Sequence, residues 1–201
     1  MNYVELSIKN TEEDTLKVAK LIDSNFVPEI VVFISKGSYI IGKTFSNYYN
    51  VPLIEIFAVR EGNKLKEVVG PLLKIIPKRL KNYLREKELN SGIHKKNNQR
   101  HVYISKGESF LKNSSNILVV DDSVDTGHTA KQVVDFIESK YGNSKSVKFA
   151  SLNFFEDSLE VFKVDYTLYE NTILIGPWSK DSSYYKEFIN QYNKDKKKGV
   201  F

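Results

Sequence analysis

The stretch "ILVVDDSVDTGHTA", Ile117–Ala130, decides how the chain is read. Four apolar residues, Ile117–Val120, end in two adjacent carboxylates, Asp121 and Asp122. Such a short apolar run suits a strand buried on both faces of a parallel sheet. A carboxylate at its end is costly to bury unless it is paired or hydrogen-bonded. Two neighbouring carboxylates accept hydrogen bonds from a vicinal diol, such as the 2′ and 3′ hydroxyls of ribose, and they also hold a hydrated Mg²⁺. The run Asp125-Thr126-Gly127-His128-Thr129 then opens a helix. Backbone N–H groups, threonine hydroxyls and the positive helix end make a phosphate site there, and Gly127 lets the backbone approach closely. Diol acceptors and a phosphate cradle about a ribose length apart describe a ribose 5-phosphate pocket. The plain alternative is an Asp-rich turn that caps a helix.

The flanking sequence supplies a frame for this strand. Pro28 precedes "EIVVFIS" (Glu29–Ser35), a second buried run, and "VPLIEIFAV" (Val51–Val59) is a third. Between them, "KGSYIIGKTFSNYYN" (Lys36–Asn50) reads as a loop and then a helix, a crossover unit of a parallel sheet. Thr11 is expected to cap a helix over Asn10–Phe26. "HVYIS" (His101–Ser105), "SVKFASLNFF" (Ser146–Phe155) and "TILIG" (Thr172–Gly176) read as strands. "AKQVVDFIESKYG" (Ala130–Gly142) and "SSYYKEFINQYNK" (Ser182–Lys194) read as helices. The alternation predicts an α/β fold: a doubly wound, mainly parallel sheet flanked by helices. Such sheets bind ligands at the carboxyl ends of their strands.

The 201 residues suit one domain over 1–201. The chain has no cysteine, which excludes disulfides, thiolate catalysis and zinc–cysteine sites and fits a cytoplasmic protein. No apolar run approaches the roughly 18 residues of a membrane span, and the N-terminus has no apolar signal core. Three histidines without ligand-like spacing argue against a histidine metal site. The net charge of +5 is uneven: Arg60–Asn113 holds 14 Lys or Arg against 5 Glu, a net of +9. Residues 60–100 therefore read as a basic, partly helical insert or hood. Pro77 breaks its helical pattern, and Arg79, Arg85, Lys95, Lys96 and Arg100 are its candidates to meet phosphates. A solvated helical face is the bland reading of the same charge.

Leu118–Thr129 resembles the phosphoribosyl pyrophosphate (PRPP) signature of the type I phosphoribosyltransferases: a hydrophobic strand, two acids, two mostly apolar residues and a Thr- and Gly-containing phosphate loop. "VVFISKGSYIIG" (Val31–Gly42) resembles the pyrophosphate loop of the hypoxanthine-guanine and xanthine-guanine enzymes, the 6-oxopurine branch of that family. There the peptide before the lysine is often cis, and the matching bond here is Ser35–Lys36. The resemblance implies a PRPP-dependent transferase that moves ribose 5-phosphate to a nitrogenous base, with a 6-oxopurine as the expected acceptor. It places the ribose on Asp121 and Asp122, with Mg²⁺ held there through PRPP or water. The phosphate goes to Ser123, Val124, Asp125, Thr126, Gly127, His128 and Thr129, and pyrophosphate to Ser35, Lys36, Gly37 and Ser38. Lys36 and Asp125 are the implied catalytic groups, one stabilising the departing pyrophosphate and the other taking a proton from the base.

For the base, the resemblance implies Lys163 against O6 and Ile173 with Leu174 over the ring, where the family usually has an aromatic. "PW" (Pro177–Trp178) resembles a supporting dipeptide of some xanthine-guanine enzymes. The family's Ser-Tyr pair on a mobile loop is missing between Val59 and Asn116. A homo-oligomer is expected by the same resemblance. Two alternatives stay open: an atypical acceptor, and a non-catalytic PRPP- or nucleotide-sensing regulator whose basic insert binds nucleic acid.

Overall fold

The computed structural model of the chain describes residues 2–60, 100–142 and 144–201. The chain divides into two compact units, Met1–Phe57 with Val102–Phe201, and Ala58–His101. From Glu61 to Gln99 the expected basic insert of residues 60–100, with the cations Arg79, Arg85, Lys95 and Lys96, lies outside the described residues.

The main sheet has six strands, β2 (Ile30–Ile34), β3 (Leu53–Arg60), β4 (Arg100–Ile104), β5 (Asn116–Val124), β6 (Ser146–Phe154) and β7 (Tyr169–Glu170). Their spatial order is β4-β3-β2-β5-β6-β7. β2 pairs in parallel with β3 and with β5, and β6 pairs in parallel with β5 and with β7. The expected doubly wound order follows, because α1 (Ile8–Ile22), α2 (Tyr39–Tyr49), α3 (Glu108–Asn113) and α4 (His128–Tyr141) lie between strands in the chain. All five residues of β2 are buried, as are Ile117–Val120 of β5. This is why these runs are continuously apolar rather than alternating.

Two details near the N-terminus differ from the sequence-based expectations. α1 starts at Ile8, with the Ser7 hydroxyl accepting from the Asn10 N–H at 3.0 Å. Thr11 is one turn inside the helix, where its hydroxyl donates to the Ser7 carbonyl at 2.8 Å. Ser7 is as good a cap as Thr11, and Ile8 extends the apolar face by one more turn. The second difference is "NYVE" (Asn2–Glu5), β1, which pairs in parallel with β8 (Thr172–Ile175) in a separate two-stranded sheet. Four residues with one β-branched member carry too little pattern to announce a strand.

The closing helix α5 (Tyr185–Lys198) docks through polar groups that β3 and α2 bury. Glu55 of β3 is 2% exposed, yet it accepts from the Tyr192 hydroxyl and from Lys196 Nζ, the latter at 2.6 Å. Asp195 accepts from the Tyr39 hydroxyl and from Lys43 Nζ, the latter at 2.6 Å. Burial pushes the Asp195 carboxyl up, but these two donors outweigh it and hold it below its ordinary value. Phe201 adds edge or tilted ring contacts to Phe33, Tyr39 and Tyr192. Tyr192→Phe keeps the ring packing and removes one donor from the buried Glu55. The expected cost is about 1–3 kcal/mol, read as a lower urea midpoint with an unchanged slope. An unchanged midpoint contradicts a stabilising role for that hydrogen bond.

Candidate functional site

The carboxyl ends of β2 and β5 meet because the two strands are neighbours in parallel register, with Phe33 opposite Val120. β5 runs on through Val124, so Asp121, Asp122 and Ser123 belong to the strand itself rather than to a loop after it. The main chain beyond β2 turns sharply at Ser35–Lys36, whose peptide bond is cis, as the resemblance implies. Ser38 is fully buried and its hydroxyl donates to the Ile34 carbonyl, and the Tyr39 N–H donates to the Lys36 carbonyl at 3.0 Å. The loop is thereby folded back over the strand end. A Cβ on Gly37 would lie 3.0–3.1 Å from the Asp122 carboxylate atoms, so the loop backbone passes directly against that carboxylate. Lys36 Nζ lies 5.9 Å from the ring centroid of Tyr192, over the ring.

Asp121 and Asp122 are partly buried, and the Asp122 N–H donates to Asp121 Oδ1 at 2.9 Å. Burial pushes the Asp121 carboxyl well above its ordinary value, and the Asp122 charge adds to it. Burial also raises Asp122, against hydrogen bonds from Asp121 and from the backbone that lower it. The pair is therefore an electron-rich spot that gains from a donor or a cation. Among the described residues no group of three His, Cys, Asp or Glu side chains forms a metal site. Two carboxylates fit a hydrated Mg²⁺ only when the remaining ligands come from elsewhere.

The phosphate-loop candidates follow directly. Gly127 has φ +74° and is the N-cap of α4, the Lys131 N–H donating to its carbonyl at 2.9 Å. A Cβ there would also meet the Ser158 carbonyl and the Phe162 Cβ at 3.0 Å, so glycine is required for both conformation and space. Asp125 and Thr126 are exposed, while His128 and Thr129 are partly buried. Val124 points into the core at 3% exposure, and its carbonyl accepts from the Phe155 N–H at 2.9 Å.

A cavity of about 490 Å³ opens at this end of the sheet. Of the residues singled out by sequence, Asp122, Ser123, Asp125, Thr126, Ile173 and Leu174 line it. Lys163 does not: it is exposed in the segment after the 3₁₀ turn Glu156–Glu160 and is absent from the lining. Sequence reading also missed Phe155, Asp157 and Thr172 in the wall. Phe155 supplies an aromatic where Ile173 offers only an aliphatic surface.

Asn153, fully buried in β6, was missed as well. Its Oδ1 accepts from the Thr172 N–H at 3.1 Å and its Nδ2 donates to Ser123 Oγ at 3.1 Å. The Ser123 hydroxyl in turn donates to Asp125 Oδ1 at 3.1 Å. The available signal was an amide side chain between Leu152 and Phe154 near the end of a strand, which must find partners when buried.

The raised carboxyls make a stability prediction with a defined sign. A carboxyl whose folded value lies above its unfolded one contributes stability below the unfolded value, and that stability is lost as pH rises through the folded value. Asp121→Asn removes this loss. The ligand-free variant is expected to melt above the parent at pH 7, with the gap closing towards pH 4. A variant less stable than the parent at pH 7 contradicts the crowding of charge.

No protein-family model matches the sequence, and no curated protein does. Solved structures do match in fold. The Helicobacter pylori xanthine-guanine-hypoxanthine phosphoribosyltransferase aligns over 92% of this chain and 99% of its own, with TM-score 0.63 and 17% identity. A purine phosphoribosyltransferase from Pyrococcus horikoshii aligns over 90% and 97%, with TM-score 0.60 and 16% identity. A Neisseria gonorrhoeae hypothetical protein with bound ppGpp aligns over 96% of both chains, with TM-score 0.58 and 12% identity. With its parallel sheet, its lysine–glycine loop and its paired acids in these places, the chain has the fold of the purine phosphoribosyltransferases.

Proposed function

We propose that the protein transfers ribose 5-phosphate from PRPP to a nitrogenous base and releases pyrophosphate. The observation that carries this reading is the approach of Gly37 to Asp122, which sets the lysine-bearing loop beside the paired acids. In this reading the ribose diol donates to Asp121 and Asp122. The 5-phosphate takes the N–H groups at the start of α4 with the hydroxyls of Thr126 and Thr129. Pyrophosphate lies against Lys36–Ser38, so Lys36 faces the charge that grows as the C1–oxygen bond breaks. The base nitrogen forms the new bond to C1 from the other side, and its proton passes to Asp125. Asp121 and Asp122 are the residues to hold Mg²⁺, through PRPP oxygens or water. The ion would neutralise pyrophosphate oxygens.

The acceptor cavity supports a planar base, covered by Ile173 and Leu174 with Phe155 in the same wall. Asp125 favours a 6-oxopurine. Lys163 lies outside the lining, so the O6 contact implied by resemblance has no support from placement. A second reading, a nucleotide-sensing regulator on the same fold, is favoured by the ppGpp-bound Neisseria gonorrhoeae neighbour.

The discriminating experiment incubates purified protein with PRPP, Mg²⁺ and, one at a time, hypoxanthine, guanine, xanthine, adenine, uracil and orotate. Base-dependent release of pyrophosphate is expected with at least one 6-oxopurine. Release with none of the six overturns the transferase reading, and PRPP or ppGpp binding in that case selects the regulator.

A further inference from the structure

The hydrogen bonds behind Asp125 run in one direction only. The Thr172 N–H can only donate, so the atom of Asn153 that meets it is the carbonyl oxygen, Oδ1. The amide nitrogen, Nδ2, is then the atom facing Ser123, and the Ser123 oxygen must accept. Its own hydrogen is left to point at Asp125 Oδ1. Each link spans 3.1 Å, and the amide at the centre has no exposed surface. β5 and β6 fix the spacing, since Ser123 and Asn153 are direct partners in their register. The relay thus ties two walls of the cavity together. At one end is the backbone of Thr172, immediately before Ile173 and Leu174; at the other is the Asp125 carboxylate.

We propose that Asn153 is the positioning residue of the acceptor site: it orients the Ser123 hydroxyl so that one oxygen of Asp125 is held and the other serves the base. This rests on the transferase reading. Asn153 touches neither substrate in it, and acts only through Ser123 and the strand of Ile173. The PRPP groups on β5, Asp121 and Asp122, make none of the relay's hydrogen bonds.

The test compares Asn153→Asp, Ser123→Ala and the double variant with the parent. In Asn153→Asp the introduced carboxylate would still accept from Thr172 but offers no donor, so the Ser123 hydrogen turns towards it and leaves Asp125. Ser123→Ala removes the same final link without touching the buried amide, and carries the test alone if Asn153→Asp fails to fold. The expected result is that kcat/KM for the base falls about tenfold in each variant, as for other misplaced reacting groups. In Asn153→Asp the PRPP dissociation constant measured by calorimetry stays within about twofold, and the base kcat/KM of the double variant is no lower than that of the more impaired single one. A purely structural role for Asn153 predicts instead that PRPP affinity falls in step, because Asp121 and Asp122 share β5 with Ser123. That outcome, or an unchanged base kcat/KM in Ser123→Ala, overturns the relay and leaves the transferase reading standing. A parent protein that turns over none of the six bases overturns the reading and the relay with it.

Discussion

The register between β2 and β5 is the constraint on which the site depends. Parallel pairing of Ile30–Phe33 with Ile117–Val120 brings two strand ends to the same level. One end continues into the lysine–glycine loop and the other into Asp121 and Asp122. A one-residue slip would draw the Asp121 carboxylate one position further into the buried sheet, where a charge without partners is costly. The cost of that arrangement is electrostatic. Two carboxylates lie partly buried at the strand end with their proton affinities raised, and the glycine loop presses backbone rather than a side chain against Asp122. A ligand rich in hydroxyl donors, or a cation held beside it, relieves the cost. In the proposed function the site is therefore pre-formed for its ligand rather than for its own stability.

Behind the loop, the C-terminal helix supplies what a short loop lacks. Tyr39, at the start of α2, and Tyr192, on α5, both use their hydroxyls on buried carboxylates, and Lys36 lies over the Tyr192 ring. The rings of Phe33, Tyr39, Tyr192 and Phe201 pack against one another. The lysine of the loop is thus backed by an aromatic cluster whose polar edges are satisfied, a stiff support for the group proposed to face pyrophosphate. On the opposite side of the site, Gly127 packs against Ser158 and Phe162, so the segment after β6 braces the loop proposed for phosphate.

Much of this was legible in the sequence, and for physical reasons. Strand ends that bear charge stand out because a buried apolar run has no reason to finish in Asp121-Asp122. Gly37 and Gly127 stand out because close approach and a left-handed turn each need glycine. The cavity wall was half legible: Ile173 and Leu174 line it, while Phe155 and Asp157 escaped because they follow a strand whose end is set by tertiary pairing. Lys163 lies outside the cavity lining, since a resemblance in order along the chain does not fix where a surface lysine falls. Asn153 was hidden in plain view, as its role appears only when β6 is laid beside β5. β1 was invisible because its pairing with β8 joins segments far apart in the sequence.

The central claim is that Asp121 and Asp122 face the ribose of PRPP. Calorimetric titration of PRPP with Mg²⁺ into the parent protein and into the Asp121→Asn, Asp122→Asn double variant tests it most directly. Saturable binding by the parent and none by a folded double variant is the predicted result. Equal binding by both proteins contradicts the account.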